Sequence, residues 1–479
     1  MNTTSATNTS NSDALWTKTA AELATLIRRG DVTSRQVVQA HLDRIDEVNG
    51  HLNAIVHRLD ETALIQADAA DRALATGRKD LGSLHGVPFT VKENIDVAGT
   101  PTTSGVPLLA EAIAQRDAPV VERIRAAGGI PIGRTNLPDL GLRVHTHSSL
   151  HGLTRNPWHP ERTTGGSSGG EGSALSSGMS PLGLGNDIGG SLRNPAHCCG
   201  ISSIKPSMGV IPWATDIPPT ALGAASQMML VEGVMARRIS DVRLAFDIVR
   251  GAHPRDPFSV SANLVDVAPD RPLRIALCAE FPGGVTDPAI AAVVTKAAST
   301  LAESGHIVEI AHPPQVESTI EMWSAVMNAE MAVMMPLLEG VVGEDSRRFL
   351  EFGREAFPTL DQAGVAFLYA QRFELAQKWS EWFTAYDVML SPTWAMPAFE
   401  HGFDVQGMTQ ALQVFETFRP VLFANLFGSP AAVVPAGLAD GLPVGVQVSA
   451  WRYNDLKCLS VAALIDEELG IATPIDPRH

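Results

Sequence analysis

Two clusters of glycine and serine, GGSSGGEG at residues 165–172 and DIGGSLR at residues 187–193, are the stretches around which the chain is organised. Glycine lets the backbone adopt positive φ and approach a ligand closely. Adjacent N–H groups in such a turn can converge on a negative oxygen, so a serine among them is a candidate nucleophile with an oxyanion site beside it. The small residues of 173–185, between the clusters, predict very close packing. Neither cluster contains a base, which must come from elsewhere in the chain.

The composition limits the class of protein. The chain has 479 residues, 45 % of them hydrophobic and 18 % charged, which suffices for a sizeable core in one large α/β unit or in two or three domains. The net charge is −16 and no run of five or more basic residues occurs, which argues against a nucleic acid as partner. The cysteines form neither a CxxC pair nor a disulfide framework and predict buried thiols in a reducing compartment: Cys198, Cys199, Cys278 and Cys458.

The sequence gives no sign of export or of membrane insertion. Residues 1–14 are rich in Thr, Ser and Asn without a basic or an apolar region, and predict a disordered tail rather than a signal peptide. The most apolar window, 324–343, contains Asn328, Glu330 and Pro336. Such a window favours a buried or pocket-lining helix over a membrane span. We therefore expect a cytoplasmic protein with no membrane span.

Helical and strand patterns alternate along most of the chain. Helices are predicted at 20–29, 33–48 (with an N-cap at Thr33-Ser34), 60–76, 119–127, 239–250 and 287–303, and 316–385 is expected to be almost wholly helical. Strands are predicted within 84–94 and at 130–133, 273–278, 306–311, 388–392, 431–435 and 443–449. The segment 135–164 is irregular and polar, and no repeat or linker divides the chain. A helix followed by a short β run is typical of an α/β sheet.

Three other functions of the motifs fit the sequence poorly. A glycine-serine cluster is often only a flexible turn, and no lysine follows it in the phosphate-loop arrangement. Ser167 and Ser168 formally match the G-x-S-x-G elbow of α/β-hydrolases, but that elbow needs an apolar strand before it, and 159–164 is polar. His145, His147 and His151 suggest a metal site, yet no carboxylate completes a known ligand spacing.

Lys92 is the candidate base. A lysine that ends a strand is usually a solvated charge. The run 87–91 before it is apolar enough to bury the side chain, and desolvation lowers the pKa of a lysine toward that of a useful base.

These residues together resemble the amidase signature family. The likeness rests on 165–193 with Pro195 and Lys205-Pro206, and on the spacing of Lys92, Ser167 and Ser191, which are 75 and 24 residues apart. Flanking motifs agree at TNLP (135–138), NPW (156–158) and PT (392–393). The likeness is dense over about 85–210 and continues to Ser449. It implies one large α/β/α domain over 15–479, with a mixed, twisted central sheet covered by helices and a helical, pocket-lining insert at about 316–385.

The resemblance also implies a role for each residue of the motifs. Ser191 is the nucleophile, Ser167 is a bridging serine after a cis peptide bond, and Lys92 is the base. The oxyanion would be held by the N–H groups of the loop at Ile188, Gly189, Gly190 and Ser191. Residues expected to support this loop by hydrogen bonds are Ser168, Asp187 and Arg193. By likeness to the fatty acid amide hydrolase branch, Gly141 presents its backbone to the substrate. No metal and no cofactor are implied.

Within the family the sequence leaves two functions open. The favoured one is a stand-alone hydrolase of small aryl or alkyl amides, extending to esters and carbamates, as a monomer or a homodimer. The rival is the amidotransferase subunit that makes ammonia for charged tRNA, whose motif usually reads DTGGS where this chain has Ile188. A glycine-rich binding protein without catalysis is a further alternative, which would tolerate loss of Lys92. Most apolar residues of the insert are expected to pack in the core, and some to line the site: Met322, Trp323, Met327, Met331, Met334, Met335, Phe349, Phe352 and Phe367.

Overall fold

The computed structural model describes residues 14–78, 80–218, 220–264, 271–357 and 360–478. The predicted tail at 1–14 therefore lies, apart from residue 14, outside the described residues. Within the described ranges the fold is α/β, as predicted, with helices on a mixed central sheet. The division into a single domain stays a prediction.

The described residues form a sheet of eleven strands and a separate two-stranded hairpin. The order across the large sheet is β1-β3-β2-β6-β8-β7-β12-β13-β11-β9-β10. Its bounds are β1 Ile55–Arg58, β2 Pro88–Lys92, β3 Ile130–Thr135, β6 Leu182–Asp187, β7 Ser202–Lys205, β8 Val231–Ala236, β9 Arg274–Leu277, β10 Ile307–Ile310, β11 Val388–Pro392, β12 Ala431–Ala439 and β13 Leu442–Ser449, and the hairpin pairs β4 His147–Ser148 with β5 Gly152–Leu153. Parallel pairing joins β2 to β3 and β6, and β9 to β10 and β11, whereas the other pairs are antiparallel.

Helices cover both faces of the large sheet. Their bounds are α1 Ala20–Arg29, α2 Ser34–Leu52, α3 Asp60–Ala75, α4 Pro119–Ala126, α5 Gly169–Ser176, α6 Arg193–Cys199, α7 Ala224–Met229, α8 Ile239–Val249, α9 Pro288–Glu303, α10 Val316–Leu338, α11 Glu344–Ala356, α12 Gln362–Trp382, α13 Met408–Thr417, α14 Arg419–Leu426 and α15 Asp455–Leu469. None of these helices is long and apolar enough to cross a membrane.

The alternation of side chains along the strands divides the core between the two faces. On β12, Ala432 and Val434 join the large cluster formed with α8, α9 and α15, whereas Val433 packs with α5 and α6. On β8, Met235 packs in the apolar cluster with α5 and α6, whereas its neighbours Val234 and Ala236 pack in the large cluster with α8, α9 and α15. Because successive side chains of a strand point to opposite faces, α5 and α6 cover the face opposite to α8, α9 and α15. Both motif clusters therefore lie on one face.

Segments with strong periodicity or caps agree with the sequence prediction. Helix α1 has the predicted bounds, and Thr33 closes a capping box with Gln36 at the start of α2. The parallel pairing of β9 and β10 around α9 confirms the predicted β-α-β unit. The four cysteines are free and buried.

The polar segment 135–164 is buried to a large extent. It is irregular and polar as expected, but many of its polar side chains are buried, because they bond to backbone groups of the loops around the site. Asn136 donates to Gly152 O at 3.0 Å, and Asn156 donates to Thr163 O at 2.8 Å and Cys198 O at 2.9 Å. This segment is a fixed wall rather than a solvated loop.

Candidate active site

Lys92 lies at the end of β2 with its side chain fully buried. Its Nζ is 2.7 Å from Ser167 Oγ and 2.6 Å from Asn186 Oδ1. The peptide bond between Gly166 and Ser167 is cis, as the family resemblance implied. The structure thus brings the predicted base and bridging serine into contact although they are far apart in the chain.

The environment of Lys92 favours its neutral form. Burial lowers the pKa of this lysine to about 7, against the attraction of the carboxyl groups of Glu232, Asp187 and Glu171. Burial also raises the pKa of Glu171 and of Glu232 to about 8, so these two carboxyl groups are largely protonated at neutral pH and hold the ammonium form of Lys92 less strongly. The amine can therefore accept a proton near neutral pH.

Glu171 connects the glycine-serine cluster at 165–172 to the central sheet. Its carboxyl group accepts hydrogen bonds from Thr90 Oγ1 on β2 at 2.7 Å and from Thr135 Oγ1 on β3 at 2.9 Å. A side chain at Gly183 of β6 would place its Cβ 2.2 Å from Glu171 Oε2, so the glycine leaves room for the carboxyl group. These contacts fix α5, and with it the adjoining Ser167, against the strand that ends at Lys92.

The two serine-containing loops lie side by side. Ser168 donates its backbone N–H to Ser191 O at 3.3 Å, and its Oγ is 3.5 Å from Asn186 O. Ser191 is 8 % exposed and lines a cavity, whereas Ser168 is fully buried. Ser168 therefore joins the two loops.

Asp187 and Arg193 hold the second loop in shape. Asp187 accepts from the N–H of Gly190 at 2.8 Å and of Leu192 at 3.1 Å, and it pairs with Arg193, whose Nη2 is 2.9 Å from Asp187 Oδ1. Burial alone would raise the pKa of Asp187, but the guanidinium of Arg193 and a hydrogen bond from Asn425 hold it well below its usual range. The loop is built around a buried, ionised carboxylate.

Gly190 departs from its predicted role. The resemblance implies that it offers its N–H to the oxyanion, but that N–H donates to Asp187 instead. Within the described ranges, no acceptor binds the N–H groups of Ile188, Gly189 and Ser191. These three donors remain for an oxyanion, and Gly190 supports the loop.

Gly141 lies beside the bridging serine. Its φ is +71°, and an added Cβ would stand 3.2 Å from Ser167 Oγ. Glycine alone gives this conformation and this close approach without strain. Gly141 also lines the cavity that contains Ser191, and its predicted contact with the substrate stays a prediction.

The cavity at Ser191 has a volume of about 120 Å³ and a mainly apolar wall. It is lined by Gly141, Leu142, Arg143, Val144, Ile188, Gly189, Ser191, Trp323, Ser324, Met327, Asn328, Met331, Phe349, Leu350, Gly353, Phe357, Phe415 and Phe418. Trp323 donates from its indole N–H to Ile188 O at 3.2 Å, and an added Cβ at Gly189 would lie 2.7 Å from the Trp323 ring. Helix α10 thereby packs directly on the proposed oxyanion loop.

The predicted helical insert contributes unevenly to this wall. Helices α10 and α11 supply Trp323, Met327, Met331 and Phe349, whereas no described residue of α12 lines the cavity. Met322 packs in the core, as expected. Phe367 does not, because it is 65 % exposed on α12.

Arg143 is the one charged residue among the described residues that line the cavity, and carboxylates surround it. Its Nε and Nη2 bind Asp404 at 2.6 and 2.8 Å, and its Nη1 binds Asp345 of α11 at 2.9 Å. The guanidinium is thus committed to structural partners, since its side chain is fully buried between them.

The three histidines of the metal hypothesis bind three different partners. His145 contacts His401 at 3.0 Å, His147 contacts Asp345 at 3.3 Å, and His151 contacts Glu93 at 2.7 Å. Among the residues with described positions, no group of three or more His, Cys, Asp or Glu side chains is placed to hold a metal ion. The arrangement gives the metal hypothesis no support.

Sequence reasoning missed the polar residues that surround Lys92. Four polar side chains lie at or near the amine of Lys92, and no spacing rule in the sequence connects them to this lysine: Asn186, Asn94, Glu171 and Glu232. The one usable signal was their position, since Asn94 closely follows Lys92, and Glu171 and Asn186 lie in or beside the glycine clusters. Glu232, on β8, gave none.

Comparison with known proteins places the chain in a family. The family model described as Amidase matches residues 36–459. The chain is 39 % identical over 460 residues to the indoleacetamide hydrolase of Bradyrhizobium diazoefficiens, covering 95 % of this chain and 87 % of that protein. It is 32 % identical over 493 residues to one subunit of the glutamyl-tRNA(Gln) amidotransferase of Salinispora arenicola, covering 95 % of this chain and 98 % of that subunit. A solved structure of a bacterial aryl acylamidase of the amidase signature enzymes matches with a TM-score of 0.81 and 26 % identity over 94 % of this chain and 96 % of that one.

Proposed function

The chain belongs to the amidase signature family and hydrolyses amide C–N bonds, and we propose that it does so as a serine hydrolase with an acyl-enzyme on Ser191. One observation carries this proposal. The amine of Lys92, with its pKa lowered to about 7 by burial, lies 2.7 Å from the Oγ of Ser167, next to the loop that presents Ser191 to an apolar cavity. A glycine-rich binding protein has no need of a buried, neutral lysine at this place.

The proposed reaction begins with two proton transfers. Neutral Lys92 takes the hydroxyl proton of Ser167, which takes that of Ser191, and Ser191 Oγ attacks the carbonyl carbon of the amide. The oxygen of the tetrahedral intermediate then receives hydrogen bonds from the N–H groups of Ile188, Gly189 and Ser191. Asp187 supports this step through Gly190 and Arg193, which hold the loop in shape.

Release of both products uses the same groups in reverse. The proton returns from Lys92 through Ser167 to the leaving nitrogen, the C–N bond breaks, and the amine departs. Water then attacks the ester on Ser191 with Ser167 and Lys92 again taking its proton. That proton passes back through Ser167 to Ser191 Oγ as the acyl–oxygen bond breaks, and the carboxylic acid leaves. Each proton that Lys92 accepts is returned within the cycle, and no metal or cofactor takes part.

The wall of the cavity favours an apolar or aromatic acyl group. Trp323, Phe349, Phe357 and Phe418 present rings to the space beside Ser191, where an aryl group can stack or pack edge-on. The names of two relatives, an indoleacetamide hydrolase and an aryl acylamidase, point the same way. We infer a small arylacetamide such as indole-3-acetamide, or an anilide, as substrate, and activity on esters and carbamates, because their carbonyl groups meet the same oxyanion donors.

The ammonia-supplying subunit is the second candidate, since one such protein is 32 % identical to the chain. Its substrate, glutamine, carries an ammonium and a carboxylate that need charged partners. The charged side chain that lines this cavity, Arg143, is bound to Asp404 and Asp345. The wall therefore offers glutamine no uncommitted charge among the residues described.

A substrate panel tests the proposal. Purified enzyme is assayed on indole-3-acetamide, a p-nitroanilide, a p-nitrophenyl ester, an aryl carbamate and glutamine, with the Ser191→Ala variant as control. We expect hydrolysis of the aromatic amides, faster hydrolysis of the ester because its leaving group is better, and a slower reaction of the less electrophilic carbamate. Activity on glutamine alone would overturn the proposal in favour of the amidotransferase function.

A further inference from the structure

Two asparagine side chains next to the base have no part in the mechanism so far. Asn186 Oδ1 is 2.6 Å from Lys92 Nζ, and Asn186 Nδ2 donates to Asn94 Oδ1 at 3.0 Å. We propose that Asn186, held by Asn94, is a positioning residue that turns the Lys92 amine so that its lone pair faces Ser167. This inference rests on the proposed function.

The valence of the two groups limits how the amine can meet Asn186. A neutral amine has two N–H hydrogens and one lone pair, and a carbonyl oxygen can only accept a hydrogen bond. One N–H of Lys92 must therefore point at Asn186 Oδ1. This excludes the orientation in which the lone pair faces Asn186, and it leaves the lone pair free to be directed to Ser167 Oγ, 2.7 Å from the amine. Without that acceptor, the lone pair could also turn toward residue 186, where it cannot take the proton of Ser167.

Asn186 is itself held from both sides. It lies within β6, where it pairs in register with Glu232 of β8, and only 4 % of it is exposed. Its NH₂ group is engaged by Asn94 Oδ1, and Asn94 Nδ2 approaches Asn186 Oδ1 at 3.5 Å, so the two amides face each other. Asn94 Nδ2 would stand 3.8 Å from a Cβ added at Gly141. The pair therefore connects the base with the backbone proposed to contact substrate.

The neutrality of Asn186 matters because the other groups near Lys92 are ionisable. Carboxyl groups face it from Glu171 on α5, Asp187 on β6 and Glu232 on β8. From β3, the guanidinium of Arg134 reaches its carbonyl oxygen at 3.5 Å. Asn186 contacts the amine directly and adds no charge, so it orients the neutral form and stabilises the ammonium form less than a carboxylate at the same place would.

The test is the pH dependence of kcat/KM in two variants. Asn186→Asp keeps the acceptor and adds a negative charge at 2.6 Å. A charge so close favours the ammonium, so we expect the acid limb to move to higher pH by about one unit or more, with activity recovering above it. Asn186→Leu removes the acceptor and increases desolvation. We expect its kcat to fall at least ~100-fold with little change in KM, and its acid limb to move to lower pH.

A buried asparagine whose hydrogen bonds go to other groups than the base serves as the matched control. Asn156 is 1 % exposed and donates to Thr163 O and Cys198 O. Asn156→Asp should lower the melting temperature without moving the acid limb. If both Asn186 variants lose activity by one factor at every pH, with the limb unmoved, Asn186 is only structural and the inference is wrong. If the Ser191→Ala variant, assayed alongside, stays active, the proposed function itself fails.

Discussion

At the scale of single residues, the proposed chemistry depends on a lysine whose neutral form is favoured by burial. Lys92 is buried at a strand end among Glu171, Asp187 and Glu232, yet its pKa lies near 7 because the loss of hydration outweighs their attraction. Its amine lies 2.7 Å from Ser167 Oγ, and in the proposed mechanism the pair moves a proton as one unit. Loss of either member should therefore remove the function of both.

A double-mutant cycle tests this coupling. Lys92→Ala and Ser167→Ala should each lower kcat/KM by roughly 10³-fold or more, and the double variant should be no worse than the poorer single one, as for residues that act as a unit. Steady-state kinetics on a p-nitroanilide with all four proteins measures it. Losses that multiply in the double variant would show two independent roles.

The pH profile tests the protonation state of the base. The pKa of Lys92 is lowered from 10.5 to about 7 by burial, and only the neutral amine can accept a proton. As the pH falls through about 7 the amine becomes protonated, so kcat/KM should fall on the acid side and rise toward an alkaline plateau.

A second buried lysine provides the control for this profile. Burial also lowers the pKa of Lys205 to about 7, but its amine donates to Pro206 O and Ser429 O. Lys205→Met should therefore keep the acid limb in place, although it costs stability. If the acid limb of the kcat/KM profile is lost in Lys205→Met, the assignment of Lys92 as the base is wrong.

At the scale of elements, the site is made by the ends of β2 and β6, the starts of α5 and α6, and a wall from α10 and α11. Trp323 joins that wall to the chemistry through its hydrogen bond to Ile188 O at 3.2 Å. Substrate choice and oxyanion geometry thus meet at one helix. A change in the wall away from Trp323 should alter substrate size preference and leave the reaction itself intact.

Met327 is the residue to change for this purpose. It lines the cavity on α10, and Met327→Ala enlarges the space beside Ser191. We expect the ratio of kcat/KM for a bulky arylacetamide over acetamide to rise several-fold, because a larger acyl group fills the new volume. Met334→Ala, on the same helix but outside the cavity, should leave the ratio unchanged. Equal ratios in both variants would remove α10 from the proposed substrate site.

The sequence predicts elements whose signal is local. Helix α1 has a capping box at Thr19 and an apolar stripe, and its predicted bounds agree to the residue. The predictions contain no element at β8 or at α15, although β8 pairs with both β6 and β7. A short, fully buried strand such as β8 has no alternation to reveal it, because both of its faces are covered by helices.

For the candidate site, motif spacing predicts the residues that stand within the motifs but not their bonding. Ser167, Ser191 and Lys92 are implied by the resemblance to the amidase signature family, and the structure places Lys92 against Ser167 and the loop of Ser191 beside them. That Gly190 gives its N–H to Asp187, and that Asn186 reaches Lys92, depends on loop geometry that no spacing encodes. Arg143 reaches Asp404 from 261 positions away, a pairing that only the assembled fold creates.

At the scale of the whole molecule, the fold assembles one site from distant parts of the chain. The eleven-stranded sheet of the described ranges carries Lys92 and Asn186 on strands that are far apart in the chain but adjacent in space, because β2 pairs directly with β6. The C-terminal strands support the same site, since Gln447 of β13 accepts from Arg193 at 3.0 Å. We therefore expect one reactive serine in the folded chain.

Covalent labelling of the folded enzyme is the most direct test of Ser191 as the nucleophile. The protein is treated with an aryl sulfonyl fluoride or an organophosphorus reagent, digested, and mapped by mass spectrometry. We expect one adduct per chain, located on Ser191, absent from the Ser191→Ala variant and formed much more slowly in Lys92→Ala. An adduct on Ser167 or on another residue, or undiminished labelling of the Ser191→Ala variant, would contradict the assignment of Ser191 as the nucleophile.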